Sequence, residues 1–139
     1  MILKTDSRPA PQLVCEDAVL KYARQVLAEN VDGAELDREI ALSIGVDSHF
    51  RPIYVDIVGL GGPSECAISS QVVYRRAVER GATGLFFLHT HPSGNAEKSG
   101  ADEIIELKLA AAGEVLGIKL FASLVIPIQR GPVQLKIQL

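Results

Sequence analysis

No basic stripe runs through this chain, no two cysteines stand close together, and no apolar run is long enough to cross a bilayer. Each absence excludes something. Lys and Arg number 14 against 17 Asp and Glu, a formal net charge of -3. The electrostatic footprint of a nucleic-acid binder is therefore missing, and Arg75-Arg76 reads as the solvated face of a helix. Cys15 and Cys66 lie far apart and make neither a disulfide framework nor a CxxC thiolate site. Cys66 is expected to be a small apolar core or loop residue. The N-terminus has no leader-like apolar stretch, and nothing approaches the roughly 20 apolar residues of a membrane span, so the expectation is a cytoplasmic protein with no membrane partner. No internal repeat, low-complexity tract or linker interrupts the chain. At 139 residues, 47% hydrophobic and 22% charged, it is expected to fold as a single domain over residues 1–139, with residues 1–13 as a lead-in or short edge segment.

What is present falls into alternating helix and strand patterns. Val19, Leu20, Ala23, Val26 and Leu27 recur at helical spacing and predict an amphipathic helix over 16–30, stopped by residues 30–33. Ile40, Leu42, Ile44 and Val46 alternate with Ala41, Ser43 and Gly45, which predicts a strand over 39–47 with one large apolar face. Residues 47–52 form a turn, with His49 exposed in it, and residues 53–60 a second strand of a hairpin. The segment 59–63 breaks the sheet. Ser69 or Ser70 caps a helix to about Arg80, with Val72, Val73, Ala77 and Val78 inward and Gly81 as its stop. A third helix from Ser99 to Gly113 or Gly117 is expected to bury Ile104, Ile105, Leu107, Leu109 and Leu116. Strands over 118–126 and 133–139 complete an α/β fold, a curved mixed sheet flanked by helices.

The chemistry concentrates in His89-Thr90-His91-Pro92-Ser93-Gly94-Asn95-Ala96-Glu97-Lys98-Ser99-Gly100-Ala101-Asp102. An apolar strand, residues 83–88, leads into it. If extended geometry persists through His91, both imidazoles face the same way. Pro92 then ends the strand, and Ser93-Gly94-Asn95 is loop chemistry. Taken singly, each histidine reads as a hydrogen-bonded core residue, and Ser99-x-x-Asp102 reads as a helix capping box. Taken together, two imidazoles on one face and a carboxylate in a helix's first turn make a three-ligand metal site with an open fourth position. The cap is compatible with that role because it fixes where Asp102 points. Glu103 is turned about 100° away around the helix.

His-Thr-His-Pro, six residues, Ser, two residues and Asp resembles the zinc signature of the JAMM metallopeptidases on the MPN (JAB) fold, a cytidine-deaminase-like architecture. The local form HTHPSG is similar to the RadC-type JAB domains, and the order of elements extends the resemblance from about Cys15 to Pro127. It implies Zn2+ on His89, His91 and Asp102, with Ser99 steadying the attacking water or the oxyanion. It also implies an upstream glutamate as general base. Glu39 stands at that place, Glu35 and Asp37 are alternatives close by, and Asp56 in the second strand is the runner-up. The activity implied is hydrolysis of a peptide or isopeptide bond in a protein or peptide substrate, among which the tail of a ubiquitin-like modifier is one expectation. Substrate choice in the family resides in loops beside the cleft, here residues 59–68 and 93–98.

Three departures from the RadC pattern accompany the resemblance. Thr90 replaces an asparagine, Ala122-Ser123 stand where an Asp-His pair is usual, and no helix-hairpin-helix segment precedes the first helix. The alternative expectation is a RadC-like accessory or binding module associated with DNA repair, with little or no hydrolase activity. The acidic balance and the full set of catalytic residue types favour the hydrolase, with nucleic acid not expected as a partner.

Overall fold

The structure is a computed structural model, which describes residues 1–5, 10–61, 68–130 and 135–136. Its order is α1 (Glu16–Asn30), a 3-10 turn (Gly33–Asp37), β1 (Ile40–Val46), β2 (Pro52–Leu60), α2 (Ser70–Arg80), β3 (Gly84–His91), α3 (Gly100–Leu116), β4 (Lys119–Pro127), β5 (Gln129–Arg130) and β6 (Leu135–Lys136). Four strands form one sheet in the order β2-β1-β3-β4. β1 runs antiparallel to both neighbours, while β3 and β4 are parallel and joined by α3. The result is the α/β fold expected, a mixed sheet with α1 on one face and α2 and α3 on the other. Among the described residues no helix is long and apolar enough to cross a membrane.

The lead-in pairs along the outer edge of β2. Leu3 donates to the Val55 carbonyl and Ile57 donates to that of Met1, both at 2.8 Å. The end of α1 holds the same segment, because the Asn30 amide bonds both the N–H and the carbonyl of Lys4. In α1, Val19, Ala23, Val26 and Leu27 are buried as predicted, Leu20 is half-buried, and Tyr22 joins them. Asp47 accepts from the N–H groups of His49 and Arg51 and closes the hairpin turn, leaving His49 exposed.

Two expectations, in α2 and α3, are corrected. β1 carries the large apolar face expected, and its other face is covered as well, all seven residues being buried. Its alternation is large against small. Ile40, Leu42, Ile44 and Val46 meet α1, whereas a Cβ at Gly45 would overlap the ring of Tyr54. In α2 the inward residues are Val73, Tyr74 and Ala77, with Val78 57% exposed. Tyr74 takes the inner position because its hydroxyl donates to the Leu109 carbonyl at 2.7 Å. In α3 the covered stripe is Asp102, Ile105, Leu109 and Gly113, while Ile104, Leu107 and Leu116 are exposed. That stripe is one residue wide because α3 presses close: a Cβ at Gly113 would overlap the Ile118 carbonyl and the Tyr74 hydroxyl. The helix therefore passes Gly113 and ends at Gly117, whose φ of 71° is left-handed.

β2 ends at Leu60 as predicted, and the sheet breaks at Gly61, inside the predicted 59–63 segment. Cys66 lies outside the described residues. Of the last predicted strand, only residues 135–136 are described, paired with β5.

Candidate functional site

The site forms where β3 ends. All eight β3 residues are buried, and the period of two puts Leu85, Phe87, His89 and His91 on the α2 and α3 face. The strand continues through His91, whose carbonyl accepts from Gly94 at 3.0 Å and Ile128 at 3.1 Å. The chain turns back at once and α3 begins. Ser99 and Asp102 satisfy each other in a capping box: Ser99 N–H donates to Asp102 Oδ2 at 2.7 Å, and Asp102 N–H donates to Ser99 Oγ at 3.1 Å. The cap thus anchors one carboxylate oxygen and aims the other.

Asp102 Oδ1 lies 3.0 Å from His89 Nε2, Asp102 Oδ2 lies 3.3 Å from His91 Nε2, and the two Nε2 atoms are 3.0 Å apart. Burial pushes Asp102 up, but the Ser99 N–H, His89 and the Ser99 hydroxyl outweigh it, so the carboxyl is held below its ordinary value. Burial lowers His89 against the opposing pull of Asp102. His91 is fixed by a hydrogen bond from Nδ1–H to the Asn95 carbonyl at 2.8 Å. A neutral ring that carries its proton on Nδ1 has a bare lone pair on Nε2.

These residues fit a metal ion. His89, His91 and Asp102 each offer one ligand atom, and all are buried. Ligand atoms around a tetrahedral zinc with bonds of about 2.0–2.2 Å stand roughly 3.3–3.5 Å apart, close to the separations here. With Nδ1 bonded to the loop, His91 turns an acceptor toward the Asp102 carboxylate, and with His89 Nε2 beside them the three atoms can share one cation. Asp102 Oδ1 is buried without a hydrogen-bond partner. The loop bond from His91 to Asn95 is the kind of outer contact that sets a ligating histidine's tautomer.

Beside this triad is a cavity of about 360 Å³ lined by Glu39, His91, Ser93, Asn95, Glu97, Lys98 and Ser99. Glu39, the residue just before β1, is half-buried, and its Oε2 has no hydrogen-bond partner. Burial pushes its carboxyl up; His91 pulls it down and Asp102 pushes it up further. The other carboxylates considered from sequence lie elsewhere. Asp56 binds the N-terminal ammonium at 2.7 Å, with Arg76 at 4.0 Å. Glu35 reaches back to the Asp32 N–H in the cap of the 3-10 turn, and Asp37 is exposed at that turn's end. The structure therefore brings Glu39 and Ser99 to the triad and places Asp56 in an ion pair of its own.

Of the two cleft loops, residues 93–98 line the cavity; in the other, residues 62–67 lie outside the described ones. Ala122 packs toward α1, and the buried Ser123 Oγ has no hydrogen-bond partner among the described residues. Sequence reasoning missed two contacts. One is the Asn95 carbonyl, a backbone group that no residue type announces. The other is Thr90, whose hydroxyl accepts from the Ile40 N–H at 2.9 Å. A hydroxyl in an otherwise apolar buried strand was its one signal.

A βαβ unit with two strand-end histidines and a helix-start aspartate, crossed by an antiparallel hairpin, defines the JAB class of domain. Residues 13–134 match the family described as RadC-like JAB domain, and the chain belongs to that family. It is 32% identical over 102 residues to a UPF0758 protein of Thermotoga maritima, covering 73% of this chain and 43% of that protein. A UPF0758 protein of Nitrosomonas eutropha is 27% identical over 127 residues, covering 78% of this chain and 57% of the relative. The chain thus spans about half the length of these curated relatives.

Proposed function

We propose that this chain is a zinc-dependent metallopeptidase that hydrolyses a peptide or isopeptide bond, with the tail of a ubiquitin-like modifier among its substrates. The observation that carries the reading is the shared location of Glu39, a carboxylate with a buried unpartnered oxygen, and the three converging donor atoms. His89, His91 and Asp102 would hold the metal. Zinc bound there supplies a Lewis acid and a water acidic enough to lose its proton near neutral pH.

The chain's own groups do the rest. Glu39 takes a proton from the attacking water and delivers it to the leaving amine, and its raised pKa suits both transfers. The Ser99 oxygen accepts the Asp102 N–H, and its hydroxyl, at the cavity wall beside Asp102, turns to donate to the oxyanion as it forms. Residues 93–98 form the wall against which an extended peptide lies.

The first test is metal content. The purified protein should hold about one zinc per chain and the Asp102→Ala variant almost none. Peptide and isopeptide substrates are then screened with Glu39→Ala, which should keep zinc and lose about 10²–10⁴-fold in rate. A protein that takes up no zinc on reconstitution rules the peptidase out. Full zinc occupancy without hydrolysis of either bond type supports the accessory-module reading instead.

A further inference from the structure

Thr90 sits between the two histidines but faces away from them, because successive β3 residues alternate. It is fully buried on the α1 side. Its hydroxyl accepts the N–H of Ile40 at 2.9 Å, across 50 residues of sequence. The pairing between β1 and β3 ends at Ala41 opposite His89. One residue further along, a backbone carbonyl of β3 would ordinarily take the Ile40 N–H. The Thr90 side chain takes it instead.

The residue that precedes this amide is Glu39. Its own carbonyl accepts from Gly61 N–H at 2.9 Å. The one peptide group that joins Glu39 to Ile40 is therefore held at both ends: its carbonyl by Gly61 N–H at the β2 end, and its N–H by the Thr90 hydroxyl on β3. The β1–β3 register runs no further than Ala41, and Glu39 and His91, just beyond it on the two strands, line the cavity. A side-chain acceptor satisfies the last buried amide of β1 without pulling the strands together. A ladder bond at the same place would draw β1 onto β3.

We infer that Thr90 is a positioning residue: its hydroxyl, by holding the Ile40 amide, sets where the Glu39 carboxylate stands relative to His91. The inference rests on the proposal that Glu39 transfers the proton. Thr90 touches neither substrate nor metal; it acts through the backbone of residues 39–40.

The test compares Thr90→Val, Thr90→Ala and Thr90→Ser in the zinc-loaded full chain. Valine keeps the shape and alanine removes it, but both lose the acceptor; whichever of the two retains a cooperative unfolding transition carries the comparison. Serine keeps the hydroxyl. Amide hydrogen exchange at Ile40 should speed up at least about tenfold in the variants lacking the hydroxyl and stay near the parent rate in Thr90→Ser, with zinc stoichiometry unchanged in all. With a cleaved peptide substrate, kcat should fall about 10–10²-fold with KM little changed, and serine should restore it. The same substitution made in Glu39→Gln should cost little more, because the residue it acts through is already gone. Unchanged Ile40 exchange overturns the inference whether or not a substrate is known. Unchanged kcat in an active protein, or a fall equally large in the Glu39→Gln background, overturns it too. A parent protein that holds zinc and cleaves nothing overturns the hydrolase reading instead, and the exchange result then stands apart from it.

Discussion

Toward α1 the sheet presents Leu42, Ile44, Val55, Phe86, Leu88 and Ile126, all apolar and all buried. Toward α2 and α3 the same four strands place Ser43, Asp56, His89, His91 and Ser123 between apolar neighbours. Packing accounts for the first face, apart from the Thr90 hydroxyl, which is partnered by the Ile40 N–H. On the second, buried polar groups cost stability unless they are partnered, and only some are. Ser43 meets the Tyr54 hydroxyl, and Asp56 meets the N-terminal ammonium. His89 Nδ1, Asp102 Oδ1 and Glu39 Oε2 have no hydrogen-bond partner among the described residues. A fold gains nothing from such atoms. Their gathering at one strand end is the physical signature of a site, and the α1 face shows what the sheet is like without one.

Substitutions should separate the two faces by size and kind of effect. Leu42→Ala on the α1 face should cost about 2–5 kcal/mol in urea unfolding while the folded fraction keeps its metal. An equal loss of metal in that variant would mean that the faces are not separable. Tyr74→Phe on the opposite face should cost about 1 kcal/mol near neutral pH for the lost bond to Leu109. It should also change the alkaline limb of stability. Burial, then Tyr54, pushes the Tyr74 phenol up to about 12, above its unfolded value near 10. The unfolded chain therefore releases this proton first. Stability is unaffected below about pH 10 and falls between about pH 10 and 12, and the variant should lose part of that fall. Tyr54 and Tyr22 are also raised and keep the remainder.

Ser99→Ala removes the α3 cap and should cost about 1 kcal/mol or less. It should weaken metal retention as well, because the aim of Asp102 depends on that cap. A change in stability with metal affinity intact would separate cap from site. The smallest effect is expected at Leu107, 72% exposed on the outer face of α3: Leu107→Lys should move unfolding by no more than about 0.5 kcal/mol.

Much of the His89-His91-Asp102 cluster was legible because it is local. The alternation of His89 and His91, the stop at Pro92 and the Ser99-x-x-Asp102 cap all follow from neighbours a few residues apart. What sequence could not supply came from packing across the chain. Periodicity revealed that α3 is apolar around much of its circumference, but not that Gly113 and Tyr74 bring it so close that only Ile105 and Leu109 are covered. Alternation in β1 revealed its large apolar face but not that the face of small residues would be covered too. Glu39 was favoured over Glu35, Asp37 and Asp56 by its place just before the β1 alternation; the ion pair of Asp56 and the cavity beside Glu39 had no trace in the sequence. The link from Thr90 to Ile40 spans 50 residues and has no local trace.

The bond from His91 Nδ1 to the Asn95 carbonyl ties a ring in the metal triad to the backbone of residues 93–98, the same loop that walls the cavity. Under the proposed function, a peptide against that loop and a metal on that ring are linked through this one contact, and their binding shares one free energy. If a bound peptide tightens the metal by some factor, the metal must tighten the peptide by the same factor, and a pair of titrations, each ligand with and without the other, would return one number twice.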